Sequence, residues 1–135
     1  MPYIVYDDNG NIRELQRWGL CGPRYELMDL LVYWYDGNHI VGVNDPVNNY
    51  YGFQDNGHFY PNGGIEYFYD ANGNLIKDLN KGILSITYNH LNLPTKIEFE
   101  NNRRIYYLYD ANGNKLKKKY YEDNRLMSTT EYSGL

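Results

Sequence analysis

Apolar and polar positions in this chain alternate with a period of two, the spacing of a pleated strand, and long helical periods are scarce. In "IEYFYD", Ile65, Tyr67 and Tyr69 share one face while Glu66, Phe68 and Asp70 share the other. Ile105, Tyr107 and Tyr109 likewise lie opposite Tyr106 and Leu108. Aromatic side chains occupy both faces, unlike the one-sided alternation of a solvated antiparallel sheet. These segments, about six to eight residues long, are bounded by clusters of Asn, Asp and Gly. The pattern predicts an all-β chain, an antiparallel meander of hairpins forming a curved, repeat-built strip. A helix within Tyr25–Val32 is the one helical alternative, but "DLLVYWYD" leads straight into a turn and reads as strand.

The turn clusters recur. "YDANGN" stands at Tyr69–Asn74 and again at Tyr109–Asn114. From Gly64 onward, Tyr69-Asp70, Tyr88-Asn89, Tyr109-Asp110 and Tyr132-Ser133 open four successive units, their tyrosines 19, 21 and 23 residues apart. Further turn signals fall between them: "NKG" at Asn80–Gly82, "ENN" at Glu100–Asn102 and "EDN" at Glu122–Asn124. In Asp70-Ala71-Asn72-Gly73 the Asp suits the first position of a type I turn, and Gly73 supplies a left-handed conformation that a β-carbon resists. Asp110, Asn112, Gly113 and Asn114 repeat this chemistry. A two-residue turn centred on Asn-Gly is the rival, and it shifts strand pairing by one residue. The recurrence of Asp or Asn at the opening position favours the first. Worn copies precede them: Tyr6, Asp7, Asn9, Gly10 and Asn11 are nearly intact, and Tyr35-Asp36-Gly37-Asn38 is one residue short, centred on Gly37-Asn38. "FQDNGHF" at Phe53–Phe59 has Phe in place of Tyr. "WGLCGPRYE" between Trp18 and Glu26 reads as an inserted loop, and "VNDPVNN" and "YPNGG" as connections. The expected organisation is one domain over residues 1–135, with degenerate repeats to residue 60 and well-formed ones over 64–135.

Composition sharpens this picture. Seventeen of the 135 residues are tyrosine, a side chain with an apolar body and a wet tip that suits a half-buried pleated surface. Cross-strand aromatic and β-branched pairs contribute about 0.2–1 kcal/mol each, enough in number to hold a strip with little enclosed core. Open edges and uncovered apolar area then predict that the chain self-associates through sheet edges or buries its ends. The net charge of −4 argues against a nucleic acid or another polyanion held on a basic surface. The basic run "KLKKKYY" reads as the solvated face of a strand. Cys21 is the only cysteine, so no internal disulfide forms. No apolar stretch approaches the ~20 residues of a membrane span, and no signal peptide is visible.

Candidate chemistry is thin. "DANGN" offers oxygens at alternate positions as a calcium loop does, but the sixth and twelfth positions counted from Asp70 are Leu75 and Lys81 where Gly and Glu are needed. Cys21 with His39, His58 or His90 is the only obvious nucleophile and base set, and the histidines lie in or beside turns without metal spacing. Neither catalysis nor a cofactor or metal is expected. Trp18, Trp34, Tyr50 and Tyr51 could form a stacking platform for a sugar, a neutral one given the overall charge.

"YFYDANGNLIKD", "ITYNHLNLPTKIEF" and "IYYLYDANGNKLKK" together resemble the YD-repeat, or RHS-repeat, family, most strongly over 64–135 and only at the corners before Tyr60. The resemblance implies antiparallel β-strips that spiral into hollow shells in large bacterial surface or secreted proteins, often toxin-delivery proteins, and in animal teneurins. It further implies a cell-surface or secreted location, neighbouring repeats as partners, and a link to carbohydrate binding. The units here are too few to close a cavity, and no toxin region follows them. This chain is therefore expected to be a structural piece of wall, a fragment of a larger protein. A stand-alone carbohydrate- or protein-binding module is the alternative.

Overall fold

In the computed structural model, which describes residues 3–56 and 64–132, the chain is all-β and antiparallel, with no helix among the described residues. Eleven strands are described: β1 (Tyr3–Tyr6), β2 (Ile12–Cys21), β3 (Arg24–Asp36), β4 (His39–Asn44), β5 (Tyr67–Tyr69), β6 (Leu75–Asp78), β7 (Ile83–Tyr88), β8 (Pro94–Phe99), β9 (Arg103–Tyr109), β10 (Lys115–Glu122) and β11 (Arg125–Glu131). They form a four-stranded sheet in the order β1-β2-β3-β4 and a seven-stranded sheet in the order β11-β10-β9-β8-β7-β6-β5, both meanders. The chain divides into two compact units, Met1–Phe68 and Tyr69–Leu135.

Strand lengths depart from the even six to eight residues expected, running from three in β5 to thirteen in β3. The two longest strands arise from "WGLCGPRYE", which is not an inserted loop. β2 and β3 run through it, pairing Trp18 with Leu27, Gly19 with Glu26, Leu20 with Tyr25 and Cys21 with Arg24. Only Gly22 and Pro23 remain for the turn, and Gly22 takes φ +67°, the positive value that a tight hairpin needs at its first central position. Gly19 is a strand residue, and its missing β-carbon leaves room for Met28, whose Cε would lie 2.5 Å from such an atom. The helical alternative over Tyr25–Val32 is strand, as the approach to Asp36 suggests.

Little of either unit is enclosed. The buried apolar side chains are Cys21, Leu31, Val41, Val43 and Ile83, while Leu20, Tyr25 and Leu108 are among many large apolar residues left exposed. In the first unit, buried carboxylates supply much of the interior order. Asp29 of β3 is fully buried, accepts from Arg17 Nε at 2.5 Å, and accepts from the Phe53 N–H at 2.6 Å. Asp45 accepts from the N–H groups of Leu30 and Val47. Glu66 accepts from the Val43 N–H at 2.8 Å, and its own N–H donates to the Val41 carbonyl. Each carboxylate links a loop to a strand, β3 for Asp29 and Asp45 and β4 for Glu66. A charged acceptor in such a bond contributes about 1.5–3 kcal/mol.

Candidate functional site

The sequence-derived site is the set of corners, and its geometry is uniform. At Asp7, Asp70 and Asp110 the backbone N–H of the glycine three residues on donates to the Asp carbonyl at 3.0–3.1 Å. The Asp N–H donates to the carbonyl of the Asn four residues on at 2.8–2.9 Å. One carboxylate oxygen of each Asp accepts from two backbone N–H groups, those of Asn9 and Asn11, Asn72 and Asn74, or Asn112 and Asn114, all at 2.9 Å. The second oxygen accepts from the amide of the following Asn. This is the type I turn with a left-handed residue, the first of the two geometries open from sequence. Gly10, Gly73 and Gly113 take φ +82°, +81° and +84°. Asn89 builds the same corner with its amide oxygen, accepting from Leu91 and Leu93, while Asn92 takes the left-handed place at φ +59°. The short copy, Tyr35 to His39, is a two-residue turn with Gly37 at φ +60°.

Hydrogen bonds lower the corner carboxyls below the ordinary aspartate value. The chief donor is the Asn11 backbone for Asp7, the Asn74 backbone for Asp70 and the Asn114 side chain for Asp110. An ionised carboxylate accepting three such bonds is a turn staple, its lone pairs directed inward. That accounts for these oxygens without a cation, and no metal-ligating cluster occurs among the described residues.

The corner tyrosines form a second recurring link that sequence periodicity alone did not reveal. Tyr35 Oη donates to the Ile12 carbonyl at 2.7 Å, Tyr88 Oη to Leu75 at 2.5 Å and Tyr109 Oη to Pro94 at 2.6 Å. Each acceptor lies six residues beyond the preceding corner tyrosine, Tyr6, Tyr69 or Tyr88. Every such phenol therefore clasps the strand that leaves the previous corner. Burial is the leading cause that pushes the hydroxyls of Tyr35, Tyr69, Tyr88 and Tyr109 above the ordinary phenol range. Side-chain amides join neighbouring corners as well: Asn11 donates to Asn38 at 3.0 Å, and Asn74 to Asn92 at 2.9 Å.

The catalytic candidates do not converge. Cys21 is buried, and burial followed by the charge of Glu26 raises its thiol, the opposite of an activated nucleophile. Cys21 pairs with Arg24 at one end of β3, while His39 pairs with Asp36 at the other. Twelve residues of strand separate those ends, on the order of 40 Å. His90 is an exposed residue of the Asn89 corner, and His58 lies outside the described residues.

The sugar-stacking candidates are dispersed. Trp18, 43% exposed, stands opposite Leu27, seven residues before Trp34 along β3, so roughly 20 Å separate the two rings' positions. Tyr50 and Tyr51 pack edge to face with centroids 5.4 Å apart, and the Tyr51 hydroxyl lies beside Gly22. Trp34 stands opposite Gly42 and lines a cleft of about 300 Å³ with Asp7, Arg13, Glu14 and Tyr35.

Charge is unevenly divided, a feature concealed by the whole-chain total. The first unit holds three basic and nine acidic residues, a balance of −6; the second holds ten and eight, a balance of +2. No family model matches the chain, and no curated protein matches it.

Proposed function

We propose that this chain is a non-catalytic structural segment of the YD/RHS-repeat type, serving as wall or scaffold in a larger bacterial surface or secreted protein. The observation that carries this reading is the recurring corner and clasp, in which the phenols of Tyr35, Tyr88 and Tyr109 each bond the strand that leaves the preceding corner. Such a unit can be extended one hairpin at a time, with each addition satisfied by the last. The polar groups of the corners are spent on their own backbone, leaving no reactive set. β11 offers a natural point of extension: all seven of its residues are exposed and, among the described residues, its one paired neighbour is β10. An extended strand added there would gain main-chain hydrogen bonds in the manner of β-augmentation.

Reading the coding sequence on both sides of this chain tests the proposal. Further tyrosine-led units continuing the frame support a wall segment, and a short self-contained gene with its own secretion signal overturns it. The Trp34 cleft favours a second reading, a stand-alone module that binds a neutral sugar. Glycan-array binding that disappears in Trp34→Ala with folding intact would support that module, and a blank array would exclude it.

A further inference from the structure

We propose that the Asn9-Gly10 step is a site of spontaneous succinimide formation and isoaspartyl linkage, and that the fold shelters the same step in two other corners. Asn9-Gly10, Asn72-Gly73 and Asn112-Gly113 close three corners of one design, each followed by Asn. Asn before Gly is the pair in which a main-chain nitrogen approaches a side-chain amide most freely, because glycine has no β-carbon to obstruct it. The Gly nitrogen gives its proton to hydroxide and bonds to the Asn Cγ, whose bond to the amide nitrogen breaks as ammonia leaves. Water then opens the five-membered imide at either carbonyl. One product is an ordinary aspartyl residue; the other is isoaspartyl, with the main chain running through the side-chain carbons.

An intact corner opposes this attack. The N–H groups of Gly10, Gly73 and Gly113 are committed to the carbonyls of Asp7, Asp70 and Asp110 at 3.0–3.1 Å, which holds both the proton and the peptide that would have to turn. Conversion therefore runs through local opening, and the rate at each step follows how readily its corner opens. The Asn9 corner is the least secured on three counts. It joins β2 to β1, an edge strand of four residues, none of them buried. Gly10 is exposed, and a β-carbon there would meet nothing within 4 Å. The Asn9 side chain makes no hydrogen bond among the described residues.

The other two corners each carry a restraint that Asn9 lacks. β5 is also an edge strand, but the Asn72 amide donates to Asn92 Oδ1 at 3.4 Å, the oxygen that also accepts from Asn74 at 2.9 Å. That amide must leave its neighbour before it can cyclise. The Asn112 corner joins β9 to β10, and both strands are paired on their far sides as well, β9 with β8 and β10 with β11. Gly113 sits against Leu93 and Leu91, 3.2 and 3.5 Å from where a β-carbon would lie. Isoaspartyl linkage at Asn9 adds a carbon to the main chain, so the Gly10 and Asn11 N–H groups no longer meet the Asp7 carbonyl and carboxylate. The outcome is a corner without its staple and an edge strand loosened from β2.

Ageing the full chain in mildly alkaline buffer, with isoaspartate located by peptide mapping and electron-transfer fragmentation, tests this. Asn9 should convert at least about fivefold faster than Asn72 or Asn112, the ratio that a modest difference in local opening produces. In guanidinium chloride, where every corner is open, the three should convert at comparable rates, since Gly and then Asn follow each of them. Asn9→Gln, whose longer side chain has to close a less favoured six-membered ring, should form no isoaspartate there. It should keep the fold by circular dichroism, because the corner uses only the main-chain N–H of Asn9. Hydrogen exchange over Tyr3–Tyr6 should quicken in the aged wild type and not in aged Asn9→Gln. Folded Asn72 or Asn112 converting as fast as Asn9, no conversion of Asn9 in the folded chain, or an Asn9 lead that persists undiminished in guanidinium chloride would overturn the proposal.

Discussion

Removing a single phenol oxygen separates a clasp from a packed ring. Tyr109→Phe retains the ring against its neighbours but deletes the donor to the Pro94 carbonyl, a bond of 2.6 Å. A hydrogen bond of this kind contributes about 1 kcal/mol net, rising toward 3 if the abandoned carbonyl stays dry. Pro94 and Tyr109 are both half-buried, so water reaches the carbonyl and the lower figure applies. Tyr88→Phe should behave alike through Leu75. A loss of about 1 kcal/mol lowers the urea midpoint by about half a molar for a slope near 2 kcal/mol/M. Because Tyr88 and Pro94 are cross-strand partners, the double variant should depart from additivity. Tyr106→Phe on the same strand is the control: its ring packs on Tyr121, its hydroxyl makes no hydrogen bond among the described residues, and its effect should stay within about 0.5 kcal/mol. Equilibrium urea unfolding followed by circular dichroism measures all four. If Tyr88→Phe and Tyr109→Phe fall in the range of Tyr106→Phe, the recurring bond is geometry without energetic weight and the clasp argument fails.

Other perturbations probe the remaining links. Gly113→Ala and Gly10→Ala each force a β-carbon into φ above +80° and should cost about 1–2 kcal/mol, slightly more at Gly113, where the new atom meets Leu93 at 3.2 Å; unchanged melting of both variants would remove the left-handed corner from the account. Gly52→Ala places a β-carbon 2.1 Å from Asp29 Oδ1 and 2.8 Å from the Met28 carbonyl, and should cost about 2–3 kcal/mol by prising the loop from β3, with the wild-type urea midpoint as the contrary result. The lowered carboxyls of Asp7, Asp70 and Asp110 contribute stability that is complete above the unfolded aspartate value of about 3.9 and lost as pH falls through their folded values. The raised phenols of Tyr35, Tyr88 and Tyr109 contribute stability that is complete below about pH 10 and lost as pH rises through their folded values. A stability profile still flat at both extremes would contradict these assignments.

Local chemistry was legible in the sequence wherever one residue type meets one backbone demand. Asp70 before Gly73 announces a turn because few other residues accept those bonds and that φ. Where the same signal has two uses, reading fails: Gly19 and Gly22 looked like a broken beat, yet one makes room for Met28 and the other closes a hairpin. The long-range links were hidden for a different reason. Asp29 and Glu66 are single acids among apolar neighbours, where nothing local distinguishes a buried acceptor from an outward-facing residue, and Asp45 sits in a turn-rich connection where an exposed acid is the ordinary reading. "LMDLLV" and "GIEYF" carry a signal only in retrospect, an acid in an otherwise apolar alternation. Cross-strand register, which brings Lys119 to Tyr106, cannot be read along one strand. Whole-chain charge concealed the division into an acidic unit and a basic one.

The central claim is that a strip of tyrosine-led hairpins works by offering its open edge to another strand. Sedimentation equilibrium from about 1 to 100 μM, a range that brackets ordinary edge-pairing affinities, tests it on the wild type and on Leu126→Lys/Met127→Lys, which places charge on exposed β11. The wild type should grow heavier than a monomer with concentration while the variant, folded by circular dichroism, stays monomeric. A wild type that remains monomeric throughout, or a variant that associates equally well, would contradict the claim.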